Sequence, residues 1–282
     1  MGGPPAPRCA RLQACEIGRR AQAVVSDSLA PMDARMTEID GYAHEVARLG
    51  AEIGLPFIAV SADFSNPDPV LGGDGRPYAE TLFRWVDPTL EYWKDRGFAL
   101  RTPFVLAARY VAEPFYYCDG VFATWRPAPQ LEAIPVDRAA REHGVAGAII
   151  APTHLPGGLI GAVVWATPDP AVPVAKVFAD HAVRLHATAL KFIAAYNDAK
   201  GATPQAEAPR LTRREIQCLK WAAAGKTDAD IGELVRISAP TVRFHLKNAA
   251  LKLRVVGRSQ AVREAAALGY VGGGHNPARP HV

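Results

Sequence analysis

Two kinds of chemistry are open to the side chains of this 282-residue chain: binding a polyanion, and enclosing a small apolar molecule. The first set lies near the C-terminus, where Arg243, Lys247 and Arg254 are interleaved with Thr241, His245 and Asn248. Cationic side chains neutralise phosphates, and hydroxyl and amide groups hydrogen-bond base edges, so a strip that mixes both suits the reading of a nucleic acid. Lys226 and Thr227, at the start of a preceding helix, complete this set. The charge distribution agrees. Between Arg210 and Ala265 there are 12 Lys+Arg and 5 Asp+Glu, a balance of +7, whereas the rest of the chain carries 20 against 23, a balance of −3. A basic module on a mildly acidic body points to a polyanion partner for that module alone. The second set is aromatic: Trp93, Tyr117, Trp125 and Trp165 suit the lining of a ligand cavity, and each reads equally well as plain core.

Catalytic patterns do not emerge. The eight histidines include His143, His154, His181 and His186, none at metal-ligand spacing, and there is no Gly-x-Ser-x-Gly turn or phosphate-binding loop. The glycine-bearing turns at Gly72–Gly75 and Gly157–Gly158 add nothing specific. A phosphorylatable receiver needs an acidic cluster after its first strand, and Phe57–Asp63 offers one Asp. The chain is therefore read as a non-enzyme with no catalytic residue, metal or cofactor. Cys9, Cys15, Cys118 and Cys218 are scattered, which fits a reducing cytoplasm better than a disulfide framework. The longest apolar stretch, Val145–Trp165, is broken at Pro152–Gly158, so no membrane span is expected.

The elements that position these residues are legible in the spacing. Tyr42, Val46, Leu49 and Ile53 fall on one face of a helix. Asp87-Pro88 reads as a helix start, with Gly97 as its stop. Phe115–Tyr117 and Val121–Trp125 form a hairpin about Gly120. Asp137–Gly144 reads as a short capped helix, Val145–Ala151 and Leu159–Thr167 as strands. A long helix then carries Val174, Val177, Phe178, Leu185, Phe192 and Ile193. Past the proline-bearing Lys200–Pro209 segment, Thr212-Arg-Arg-Glu215 is a capping box opening a helix that Gly225 stops. Thr227-Asp-Ala-Asp230 is a second box, Arg236-Ile237 a tight turn, and Ser238 the cap of a third helix, Ala239–Leu253. At 100° per residue Leu246, Ala249 and Leu253 lie within about 40° of Val242 as a core stripe, and Arg243, Lys247 and Arg254 fall together beside it. A fourth helix, Val255–Tyr270, is read as capped by Ser259. Two short helices and a three-residue turn are the spacing of a helix-turn-helix.

Leu211-Thr-x-Arg-Glu215, Cys218–Thr227, Ile231-Gly and Ile237–Asn248 resemble the LuxR-type helix-turn-helix, in particular its quorum-sensing branch. That resemblance implies a third helix in the major groove of double-stranded DNA, presented by a homodimer. Thr102-Pro-Phe-Val105, Ala108-Arg109, Pro114–Tyr117 and Gly144–Pro152 resemble the autoinducer-binding domain of the same branch. Pro103 falls in place, whereas Thr102 stands where the family has a ligand-gripping Asp, Tyr117 where it has Trp, and Trp93 where Tyr is usual. The resemblance thus implies a small apolar signal such as an acyl-homoserine lactone, held at Trp93, Thr102, Pro103, Tyr117, Trp125 and Trp165. A Thr hydroxyl accepts a weaker hydrogen bond than a carboxylate, so a different ligand, or a sensor domain that only dimerises, stays open.

The expectation is an α+β chain: an N-terminal α/β sandwich sensor domain, with helices on the faces of an antiparallel sheet, followed by a small four-helix helix-turn-helix domain. The expected boundaries are a disordered extension over 1–35 (Met32 or Met36 being alternative starts), the sensor over 36–198, a linker over 199–209, the DNA-binding domain over 210–272 and a tail over 273–282. The location expected is cytoplasmic.

Overall fold

The computed structural model describes residues 32–66, 68–94, 102–200 and 209–272, which form two compact units. Residues 1–31, most of the expected linker and the expected tail lie outside the described residues.

The first unit opens with helix α1, Met32–Glu52, so its first turn occupies residues expected to belong to the extension. Its inward face is Ile39, Ala43, Val46 and Leu49, with Tyr42 half-buried and bonded to Glu38. Strand β1 is Phe57–Ser61, followed by the short helix α2, Tyr78–Thr81. The helix expected from Asp87-Pro88 does not form. Asp87 accepts the Thr89 N–H at 2.9 Å, but the following turns close i to i+3 (Leu90 to Asp87, Lys94 to Glu91) and no helix runs through residues 87–94. Tertiary bonds override the local signal here: the Tyr92 hydroxyl accepts the Val60 N–H at 3.2 Å, and the Trp93 indole donates to Glu80 at 3.3 Å. Gly97, its expected stop, lies outside the described residues.

Helix α3 is Pro103–Tyr110, and strands β2 (Phe115–Cys118) and β3 (Val121–Ala123) make the expected hairpin. Asp119 and Gly120 both take positive φ, 52° and 85°, as a two-residue turn matched to strand twist demands. Short helices α4 (Pro129–Glu132) and α5 (Asp137–Glu142) follow, α5 without a side-chain cap. Strand β4, Gly147–Leu155, runs on through Pro152 and meets β5, Leu159–Thr167. Pro152 is tolerated because β2 pairing reaches only Ile150, and the Pro152 carbonyl is bonded by His186 at 2.9 Å. The five-stranded sheet has the order β1-β5-β4-β2-β3.

Helix α6, Val174–Lys200, packs with α1 over one face of that sheet. On this face the Trp165 indole donates to the Val46 carbonyl at 3.0 Å, and Tyr116 lies 4.9 Å from Phe178. Gly147 lets α6 approach, since a Cβ there would overlap a Val174 methyl. Residues alternate across a strand. Tyr117 therefore points to the opposite face, where its ring meets Phe104 of α3 and Phe122.

The C-terminal part of the second unit is a four-helix module: α7 (Arg213–Ala223), α8 (Asp228–Val235), α9 (Ala239–Lys252) and α10 (Arg258–Ala267). Its core is Cys218, Leu219, Ile231, Val242, Leu246, Ala249, Leu253, Ala261 and Ala265. The fourth helix starts three residues later than expected and Ser259 does not cap it. Gly257, at φ 84°, takes the N-cap position, and Ser259 falls inside the first turn. Ala261 and Ala265 of this helix fill the core, while Val262 is half-buried and Ala266 exposed.

Candidate nucleic-acid interface and sensor site

The C-terminal module is assembled from caps. Thr212 accepts the Glu215 N–H at 3.3 Å, and Glu215 returns to the Thr212 N–H at 2.7 Å. Thr227 and Asp230 repeat the exchange at 3.2 and 2.9 Å, and the Ser238 hydroxyl accepts the Thr241 N–H at 3.3 Å. These bonds satisfy amides that the first turn of a helix leaves without partners.

Glu215 does more than cap. With its side chain 4% exposed, it also takes the Lys252 ammonium at 2.9 Å, tying the start of α7 to the last turn of α9. Burial acts to raise its carboxyl, but the bonds from Lys252 and Thr212 outweigh that, and it titrates below the ordinary carboxylate range.

Helix α9 is fixed by its buried stripe and by the turn before it, where Arg236 adopts a left-handed φ of 57°. Its outer face carries Arg243, whose side chain is 73% exposed, and exposed Lys247, with half-buried Thr241, His245 and Asn248 further round. The structure therefore brings Thr241, Arg243, His245, Lys247 and Asn248 onto one helix. Lys226 and Thr227 stand at the entrance to α8, and the Lys226 carbonyl is held by Arg258.

Arg254 departs from its expected place. The helix ends at Lys252, Arg254 takes a φ of 56°, and the Val255 and Arg254 N–H groups return to Ala250 at 3.0 Å and Leu251 at 3.1 Å. This is a Schellman stop with Arg in the glycine position. The helical angle that put Arg254 in line with Arg243 and Lys247 does not reach it.

Two features of this surface escaped sequence reasoning. Phe244, 60% exposed, lies between the cations and the Thr241–Asn248 side of α9, and Leu251 is exposed two turns on. The wheel that placed Arg243 would also have put both off the core stripe. The other is a junction at Asp228, whose carboxylate meets Arg258 at 2.6 Å and Arg243 at 3.4 Å. Bonds between helices have no signature in spacing.

The aromatic and polar residues expected to hold a signal are dispersed. Thr102 is the N-cap residue of α3, with Pro103 in the first turn, and the Thr102 side chain makes no cap bond. Phe104, next along, meets Tyr117 with ring centroids 5.9 Å apart, so Thr102, Pro103 and Tyr117 belong to the α3 side of the sheet. Trp165, wholly buried, is on the α1–α6 side, locked by its bond to Val46. Trp125 is 53% exposed, bonded to Glu113 at 2.9 Å and facing Phe178. Trp93 pairs edge-on with Tyr92 at 5.2 Å. Trp165 and Tyr117 cannot line one cavity, because the sheet stands between them.

Comparison with known proteins agrees with this architecture. Residues 41–196 match the model of the autoinducer binding domain, and residues 209–265 match that of the bacterial regulatory proteins of the luxR family. The first match alone spans more than half of the chain: it belongs to the LuxR-type transcriptional regulators that carry an autoinducer binding domain. Among relatives, the transcriptional activator protein VanR of Vibrio anguillarum is 44% identical over 72 residues, 26% of this chain and 29% of VanR. The chain thus matches less than a third of that relative's length. The transcriptional activator protein PhzR of Pseudomonas fluorescens is 28% identical over 205 residues, 70% of this chain and 77% of PhzR. The solved structure of Escherichia coli SdiA aligns over 90% of this chain and 97% of its own at 20% identity, with a TM-score of 0.41.

Proposed function

We propose that the chain is a DNA-binding transcriptional regulator of the quorum-sensing type, a homodimer whose C-terminal module reads duplex DNA and whose sheet unit takes a small apolar signal of the acyl-homoserine lactone class. The observation that carries the DNA reading is helix α9. It buries Val242, Leu246 and Ala249 and displays Arg243 and Lys247 beside Thr241 and Asn248. Buried on one side and cationic on the other, it has the form in which a recognition helix enters a major groove. His245 on the same helix, with Lys226, Thr227 and Arg254 outside it, is assigned to the same interface.

The test is binding to duplexes enriched from a random pool, followed over a range of salt. Wild-type protein is expected to enrich a two-fold-symmetric sequence, and Lys247→Ala to weaken binding on all sequences and flatten the salt dependence by about one unit of slope. An unchanged slope removes Lys247 from the interface.

For the signal, the α3 side of the sheet is favoured, with Thr102, Pro103 and Tyr117 as the first candidates. Occupancy at a hundredfold excess over Kd would stabilise the fold by about 3 kcal/mol. Thermal unfolding against acyl-homoserine lactones of varied chain length tests this. A concentration-dependent rise in Tm supports the ligand class. A flat response from folded protein favours the second reading, a different ligand or none, which the hydroxyl of Thr102 in place of a carboxylate already motivates.

A further inference from the structure

We infer that Asp228 is a positioning residue for sequence reading, holding Arg243 so that its terminal guanidinium fork faces outward to a guanine edge. The inference rests on the DNA-binding reading above. Asp228 is the first residue of α8 and is itself no cap, since Thr227 and Asp230 perform that exchange. Its side chain is 24% exposed, and its two oxygens are divided. Oδ1 accepts from Arg258 Nη1 at 2.6 Å, and Oδ2 faces Arg243 Nε at 3.4 Å. Arg258 is in turn fixed by donating through its other terminal nitrogen to the Lys226 carbonyl. One carboxylate thus links α8, the presented helix α9 and the start of α10.

The chemistry follows from which nitrogen is taken. An arginine held through Nε keeps both terminal nitrogens free, and that planar pair matches O6 and N7 of guanine in the major groove. An exposed arginine without such a hold must lose its rotamer freedom on binding; one held beforehand has less to lose. The same carboxylate makes the position a poor phosphate seat, because its negative charge faces any phosphate approaching Arg243. Lys247, with a mobile point charge, is left as the better phosphate contact. Two cations one turn apart on α9 therefore differ in task.

The experiment uses the full-length protein and a duplex enriched from a random pool; failure to enrich any sequence counts against the DNA-binding reading and not against Asp228. On the enriched duplex each guanine is replaced in turn by 7-deazaguanine, which lacks the N7 acceptor. Wild-type protein is expected to lose affinity on the order of tenfold at one guanine. Asp228→Ala should shrink that loss to about twofold while binding to unrelated duplexes stays equal or tightens, because a negative charge has gone. Arg243→Lys keeps the charge without the fork, leaves the Asp228–Arg258 pair in place, and should show the same shrinkage. Adding Asp228→Ala to Arg243→Ala should change discrimination no further. The inference is overturned if no guanine shows the effect in wild type. It is equally overturned if Asp228→Ala weakens every duplex alike with the tenfold loss intact, or if Arg243→Lys retains that loss. Should Asp228→Ala fail to fold, the Arg243→Lys result decides alone.

Discussion

The two units of this chain are specified over different distances. In the C-terminal module the decisive bonds join residues three apart in sequence, Thr212 with Glu215, Thr227 with Asp230 and Ser238 with Thr241. In the sheet unit they join residues far apart: Trp165 with Val46, Tyr196 with Leu71, Asn197 with Ala62. Short-range bonds fix each helix before it finds a partner, whereas the sheet unit depends on a completed interior. Glu215, the one buried charge among the described residues of the module, crosses between the two regimes, since its cap is local and its Lys252 partner lies 37 residues away.

Four experiments would break or sharpen this contrast. The largest effect is expected from Glu215→Ala, which removes the buried carboxylate that both caps the Thr212 amide and ties the exposed Lys252 ammonium to α7. Losing the charge-assisted bonds of a buried carboxylate costs about 3 kcal/mol in all, and calorimetry of the full chain should show the module unfolding earlier with the sheet unit unmoved. If both shift together, the units are not independent. Gly50→Ala is the mirror experiment. A Cβ there would stand 2.7 Å from the Leu55 carbonyl oxygen and 2.8 Å from Trp165 Cδ1. Overpacking of this kind costs about 2 kcal/mol and should lower only the melting of the sheet unit.

Acid should single out the module. A carboxyl held below its ordinary range contributes stability above that range and loses it as pH falls through the depressed value. The melting temperature of the module should therefore drop below about pH 4, and Glu215→Gln should flatten that dependence; an equally steep fall in the variant assigns the acid response to other groups. The smallest pair contrasts a true cap with an apparent one. Thr227→Ala should cost about 1 kcal/mol, while Ser259→Ala, whose hydroxyl caps nothing, should leave stability within about 0.5 kcal/mol. Equal losses in chemical denaturation would mean that Ser259 has a part in the fold that its position does not suggest.

The same difference in range explains what could be read from the residues alone. Capping boxes, the glycine stop at Gly225 and the core stripe of α9 are written within a few residues of one another, and each forms as spaced. The hairpin at Asp119-Gly120 is equally local. One misreading arose where a local signal met a distant partner, and two where a helix end was placed a residue or two off. Asp87-Pro88 has the chemistry of a helix start, yet Tyr92 and Trp93 are drawn off to Val60 and Glu80. Ser259 sits two residues too far in, because Gly257 supplies the turn. The wheel that aligned Arg254 with Arg243 assumed a helix that stops two residues short of it. For the sensor, the aromatic residues were legible as a set but not the partition among them, since which face a strand residue takes depends on pairing register.

That partition has a consequence for how this protein would tolerate change. The side of the sheet carrying Trp165 and Gly147 is committed, closed by two long helices whose approach leaves no room for an added methyl. The side carrying Tyr117 meets the eight-residue α3 through Phe104. With the signal on the α3 side, as proposed, variants collected for altered ligand preference should accumulate at α3, β2 and β3 and spare the helix-backed side, one wall of the sheet then working as a fixed foundation and the other as replaceable lining.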